Sequence, residues 1–185
     1  MWKRIGAFVV SGLLVWGAAE YLSAQSACAH DPRFPCSPRG ANNPVLIPDA
    51  GKSWAYYGTL PPGGTDRYEF DLATASIVPV NLLVDLRDAG NRARPELSIQ
   101  RGGVRVAHID FSRSRIFYEP FSRETYVATP VRDLKLGAGH YIATVTMWGS
   151  MPQRYTVALG GAEKFSVFEI PYVLGAIHRI RALRF

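Results

Sequence analysis

The chain has 185 residues and a formal net charge of +6; 48% of its residues are hydrophobic and 19% are charged. That composition fits one domain of ordinary size with short appendages and excludes wholesale disorder. Basic residues alternate with acidic ones and build no Lys/Arg run, which excludes nucleic acid as an expected partner and describes a mixed, solvated surface.

The N-terminus reads "MWKRIGAFVVSGLLVWGAAEYLSAQSACAHD". Lys3 and Arg4 precede an apolar run and a small-residue stretch, the grammar of a signal peptide. Ile5 to Ala24 is also 20 residues with one charge, Glu20, near its end, which is about what a bilayer requires. A retained anchor is the preferred reading, with Ile5, Phe8, Leu13, Leu14 and Trp16 in lipid; cleavage after Ala29 is the alternative. Lys3 and Arg4 place the N-terminus inside and the bulk of the chain on the periplasmic side of the inner membrane, with a single pass. Cys28 and Cys36 follow in "CAHDPRFPC". Outside the cytoplasm they read as a local disulfide. Free or lipidated thiols stay open, as does an incomplete metal site with His30. Residues 30–53 carry five prolines and read as a linker, unable to hold a helix or a central strand.

From Trp54 the period is two. Tyr68, Phe70 and Leu72 alternate with Arg67, Glu69 and Asp71 in "DRYEFDL", a half-buried strand. "VPVNLLVDL" is almost wholly apolar and reads as a more central strand. "ELSIQ", "VRVAHI", "TYVATPV", "YIATVTMW" and "RYTVALG" follow, with Gly, Pro, Asn or Asp clusters between most of them. Short strands at this spacing predict an all-β, antiparallel, jelly-roll-like β-sandwich over residues 54–162. In the last stretch, 163–185, the period changes: Val173, Ala176, Ile177, Ile180 and Leu183 fall at helical spacing behind Pro171. Arg179, Arg181 and Arg184 lie mostly on the other faces, so a short basic amphipathic helix is expected. It can pack on its own sandwich, lie on an anionic membrane or dock on a membrane partner.

"GTLPPGGTDRYEFDL", "PELSIQRGG", "LKLGAGHYIATVTM" and "QRYTVALGG" together resemble the bacterial pre-peptidase C-terminal (PPC-like) β-sandwich, over roughly residues 54–162. The resemblance implies a non-catalytic domain of exported proteins, used for adhesion, targeting or assembly. Some members bind calcium, but this chain lacks a dense acidic loop to supply the oxygen ligands. The "FYEPFSRETY" insert and the amphipathic tail depart from the family pattern.

The tempting sites read as structural. Gly137 and Gly139 fit a tight turn needing positive φ, and His140 begins a strand rather than the helix a phosphate loop needs. No pair of histidines is spaced for a local chelate. No serine sits in a G-x-S-x-G elbow, and His108, Asp110 and Ser112 lie too close in sequence for a triad. Glu119 and Glu124, which flank an aromatic insert, are candidates for the paired carboxylates of glycoside chemistry. Phe117, Tyr118, Phe121, Arg123 and Tyr126 combine aromatics with arginine, as interface hot spots do; the other reading is that Phe117, Phe121 and Tyr126 cap the core of the sandwich while the charges face water. With Ile177, Arg179, Ile180, Arg181 and Arg184 of the tail they are the candidate partner contacts. The expectation is a non-catalytic, membrane-anchored accessory or scaffolding subunit. Its partners are a membrane protein complex and the lipid bilayer, with no cofactor, metal or small-molecule substrate. A carbohydrate- or surface-binding module is the alternative, and an envelope hydrolase the second alternative.

Overall fold

The computed structural model describes residues 31–34, 43–88, 94–120, 123–162 and 170–182. The expected anchor from Ile5 to Ala24 and both Cys28 and Cys36 lie outside the described residues. Among the described residues, no helix is long and apolar enough to cross a membrane.

The described strands are β1 (Asp31–Arg33), β2 (Val45–Leu46), β3 (Trp54–Leu60), β4 (Thr65–Leu72), β5 (Ser76–Asp85), β6 (Glu96–Arg101), β7 (Val104–Ile109), β8 (Arg115–Glu119), β9 (Glu124–Ala128), β10 (Arg132–Leu136), β11 (Gly139–Thr146) and β12 (Gln153–Leu159). One helix follows, α1 (Ile170–Ala182). The larger sheet runs β1-β3-β12-β5-β9-β8, with β10 also on β5; the smaller runs β2-β4-β11-β6-β7. The two face each other as a β-sandwich. The inward residues of β4 and β11 register directly, Phe70 against Tyr141 and Tyr68 against Ala143. The Phe70 and Tyr141 rings stack at 5.3 Å. Tyr68 then meets Tyr56 of the opposite sheet at 5.2 Å between centroids, so aromatic bulk fills the space between the layers.

The sheets are mixed rather than purely antiparallel. β1 pairs parallel with β3, and β2 parallel with β4. Both come from the proline-rich stretch expected to act only as a linker. A parallel pair needs a long connection, and the path from β1 through β2 to β3 supplies it. The prolines restrict these segments to the outermost position of each sheet, where ladder donors are dispensable.

"TYVATPV" is likewise not one strand. Pro130 has no N–H to give, and β9 stops at Ala128. Thr129 bridges the gap: its hydroxyl accepts the Leu82 N–H at 3.0 Å, and its own N–H donates to the Leu82 carbonyl at 2.9 Å. β10 then resumes pairing lower on β5. β5 is buried on both faces at Leu82, Leu83 and Val84, which explains its near-continuous apolar sequence. The inner face meets the main core. The outer face carries a second cluster of Leu83, Tyr126, Ala128 and Ala158, with Phe117 packed against it.

Candidate functional site

α1 lies beside β1 over this outer face. Ala176, Ile177 and Ile180 are buried, Tyr172 donates its hydroxyl to the Pro32 carbonyl at 3.0 Å, and the Arg179 guanidinium sits 4.5 Å from the centre of the Phe34 ring. Phe34 in turn stacks on Tyr57 at 5.3 Å. Between helix and sheet runs a groove of about 190 Å³. Its lining includes Phe34, Tyr57, Tyr126, Asp85, Glu124 and Arg154. The strand period puts these groups together: Tyr57, Asp85, Glu124, Tyr126 and Arg154 are all on the outward parity of their strands.

The charges along the groove are already paired. Arg154 holds Asp88 through two nitrogens, at 2.8 and 2.9 Å, with Asp85 3.8 Å away. Arg87 binds Asp85 and lies 3.6 Å from Glu124. Burial pushes the Asp85 carboxyl up, yet hydrogen bonds from the Arg87 side chain and backbone, with the charges of Arg87 and Arg154, outweigh it and hold it below the usual carboxylate range. The bond to Asp88 raises Arg154 despite partial burial. Burial pushes the Tyr57 hydroxyl well up, and the neighbouring Tyr126 and Glu119 push it further, so Tyr57 stays protonated at neutral pH. The groove therefore offers fixed charges, aromatic faces and neutral hydroxyls.

Other expected residues fall elsewhere. Phe117 faces the outer cluster, whereas Tyr118, its neighbour, points the opposite way and is exposed. Arg123 occupies the β8–β9 turn at φ +59°. Ile177 and Ile180 pack on the chain's own body, Arg179 reaches Phe34, and Arg181 is half-buried. Phe121 and Arg184 lie outside the described residues. Glu119 and Glu124 are register partners across the β8–β9 hairpin.

The turn before His140 is a corner between strands. Gly139 has φ +147°, and a Cβ there would meet the Arg101 guanidinium at 2.8 Å. Gly137 is not in the left-handed region, so the positive-φ expectation holds at one of the two glycines. His140 enters β11 and bonds Asp71 through Nδ1 at 3.0 Å. The fold does bring His108, Asp110 and Ser112 together, but with the carboxylate in the middle. Asp110 accepts from the Ser112 N–H at 2.9 Å, capping a short turn, and His108 lies 3.6 Å from the same carboxylate. The Ser112 hydroxyl donates to the same Asp110 oxygen at 2.5 Å, so the imidazole reaches the carboxylate and not the hydroxyl, an order unlike the one in which a histidine takes the serine proton. Among the described residues, no group of three His, Cys, Asp or Glu side chains is arranged to hold a metal.

Sequence reasoning missed the buried Asp66. It follows from parity: if Tyr68 and Phe70 face inward, so does Asp66. Tyr155 donates its hydroxyl to Asp66, and Tyr68 lies 2.7 Å from the Tyr155 oxygen. Having spent its proton on Asp66, Tyr155 must accept from Tyr68.

Fold and groove define a class: a two-sheet β-sandwich with a helix-covered groove on one outer face. No family model matches the sequence, and no curated protein matches it. Among solved structures, the chain is similar to the pre-peptidase C-terminal domain of a collagenase from Bacillus anthracis, at 12% identity over 68% of this chain and 99% of that one, with a TM-score of 0.44. It is also similar to Salmonella Typhimurium PliG, a periplasmic inhibitor of g-type lysozyme, at 15% identity over 63% and 95% of the two chains, TM-score 0.37. A family 35 carbohydrate-binding module from an environmental isolate is similar at 10% identity over 57% and 74%, TM-score 0.33. The first of these is a domain of the kind the sequence motifs resemble. The fold assignment rests on the chain's own strand pairing rather than on these likenesses.

Proposed function

We propose that this chain is a non-catalytic, membrane-anchored accessory subunit that holds a protein partner on the periplasmic side of the inner membrane. The groove under α1 carries this reading. At about 190 Å³ it is smaller than the roughly 300–1,000 Å³ of a small-molecule site; it suits one or two partner side chains. Its aromatic faces and arginines are the residue types on which interface energy concentrates. Its carboxylates are tied to guanidinium groups, which favours binding over proton transfer. The apolar run from Ile5 to Ala24 supplies the anchor in this reading.

Thr59 borders the groove and is exposed, so Thr59→Trp plugs it without touching the core. The expected result is loss of the co-isolated partner from gentle-detergent extracts, with an unchanged thermal transition. Retention of the partner by the plugged variant contradicts the groove as the contact.

One observation favours a second reading, a carbohydrate- or surface-binding module. Trp148 is 70% exposed, and its indole N–H is held by Glu96 at 3.2 Å, presenting a fixed aromatic face at one end of the sandwich. Trp148→Ala distinguishes the readings: it abolishes polysaccharide retention if this second one is correct and leaves partner co-isolation intact if the first is.

A further inference from the structure

Among the described residues, the larger sheet runs one strand beyond the smaller: its path has six strands, with β10 off that path on β5, and the other has five. The overhanging strand is β8. Ile116 and Val127 are register partners on the inner face of β8 and β9. Val127 is 7% exposed, yet Ile116 is 69% and Tyr118, two residues along on the same face, is 56% exposed. The cover from the smaller sheet thus stops within one strand spacing. That sheet ends in β7, and among the described residues no strand pairs with the outer edge of β7 or of β8. Val104 and Val106 of β7 are exposed as well.

Charges on the inner face and β-bulges are among the devices that guard an edge against pairing; β7 carries a bulge, opposite Ile99 and Gln100, but among the described residues no inward charge stands at the overhang. Here the inner face of the overhang is Ile116 and Tyr118. The positive charges lie outside it. Arg105 registers with the outward Gln100, and Arg113 lies in the turn joining β7 to β8. Both are exposed, and among the described residues neither forms an ion pair. The nearby Asp110 is occupied by Ser112 and His108.

We propose that this edge accepts an extended segment of a partner protein as an added strand beside β7. Its inward side chains are apolar and cover Ile116 and Tyr118, while its outward ones are acidic and pair with Arg105 and Arg113. Main-chain bonds to β7 supply affinity, and the alternation supplies specificity. The inference rests on the proposed function in taking a protein as partner, but it uses the face of β8 opposite the groove.

The test uses the full chain in mild detergent with two short blocked peptides, one alternating valine with glutamate and one alternating valine with lysine. The acidic peptide is expected to bind and to slow amide exchange in β7 and β8. Two cross-strand ion pairs make it bind about tenfold more tightly than the basic peptide. Ile116→Lys and Tyr118→Lys are each expected to weaken it about tenfold, the scale of one lost apolar contact. Because both side chains are exposed, the melting curve stays unchanged. Absence of binding, equal binding of both peptides, or protection elsewhere overturns the proposal. So does self-association abolished by Ile116→Lys, which makes a second copy of the chain the occupant. Failure here leaves the Thr59→Trp result standing, and failure of the groove test leaves this one standing, since the two surfaces lie on opposite faces of β8's sheet.

Discussion

Gly160→Ala is expected to destabilise the chain by roughly 3 kcal/mol or more, the scale of a core-disrupting substitution. Gly160 follows β12 with φ +82°, a region that costs a side-chain-bearing residue about 1 kcal/mol or more by itself. Sterics add to this. A Cβ on Gly160 would fall 1.9 Å from the Lys52 carbonyl oxygen and 2.9 Å from that of Ala50. Both atoms are backbone, so neither moves without breaking what holds it. That region is a clasp: Ser53 N–H donates to Ala162, Ala162 N–H to Gly51, and Gly160 N–H to Pro79, each at 2.9 Å. The clasp ties the segment leading into β3 to the end of β12. Urea unfolding followed by tryptophan fluorescence reads the effect directly, since Trp54 donates its indole N–H to Asp49 within this same corner. A Gly160→Ala midpoint equal to that of the unaltered chain contradicts the clasp.

The second large effect is expected at the buried carboxyl group. Asp66→Ala removes the acceptor of Tyr155 from a fully buried position. It strands a hydroxyl between the sheets and opens a small void; together these cost about 2–4 kcal/mol. Burial already pushes the Tyr155 hydroxyl well above its ordinary value, with Tyr68 and Asp66 pushing further, so Tyr155 remains a donor across the usable pH range. Tyr155→Phe is the milder cut: the ring stays over Gly58, whose absent side chain makes room for it, and only the hydroxyl chain is broken. An expected loss of about 1–3 kcal/mol follows from leaving Asp66 one donor short. Denaturant melts of the two variants and their combination measure the coupling. If the double variant loses the sum of the two single losses, the residues do not act as one network.

The strands were legible because alternation is a local signal. Tyr68, Phe70 and Leu72 identify their own inner face, and Val173, Ala176, Ile177 and Ile180 identify a helix without reference to anything distant. Strand order is not local, and most of the misread features depend on it; the break in "TYVATPV" is the exception, since Pro130 marks it locally. β1 and β2 span three and two residues, too few to show a period, and their pairing depends on partners more than twenty positions away. The groove was illegible for the same reason. Phe34, Tyr57, Asp85 and Arg154 each look like ordinary residues until the sheet order sets them beside Tyr126 and Arg179, the two members of the groove that the sequence singled out. "FYEPFSRETY" was visible as a cluster, but its two faces were not. Adjacent residues in a strand point oppositely, so Phe117 joins the covered outer cluster while Tyr118 joins the overhang. Only the position of β8 at the end of its sheet makes that difference matter.

The proposed function requires that the chain work while bound to another protein at the membrane. Gentle-detergent extraction followed by native mass measurement tests this most directly. The prediction is a species heavier than the chain and its detergent by a fixed partner mass, with the chain's own N-terminus intact at Met1. A lone chain beginning beyond residue 29 would contradict it.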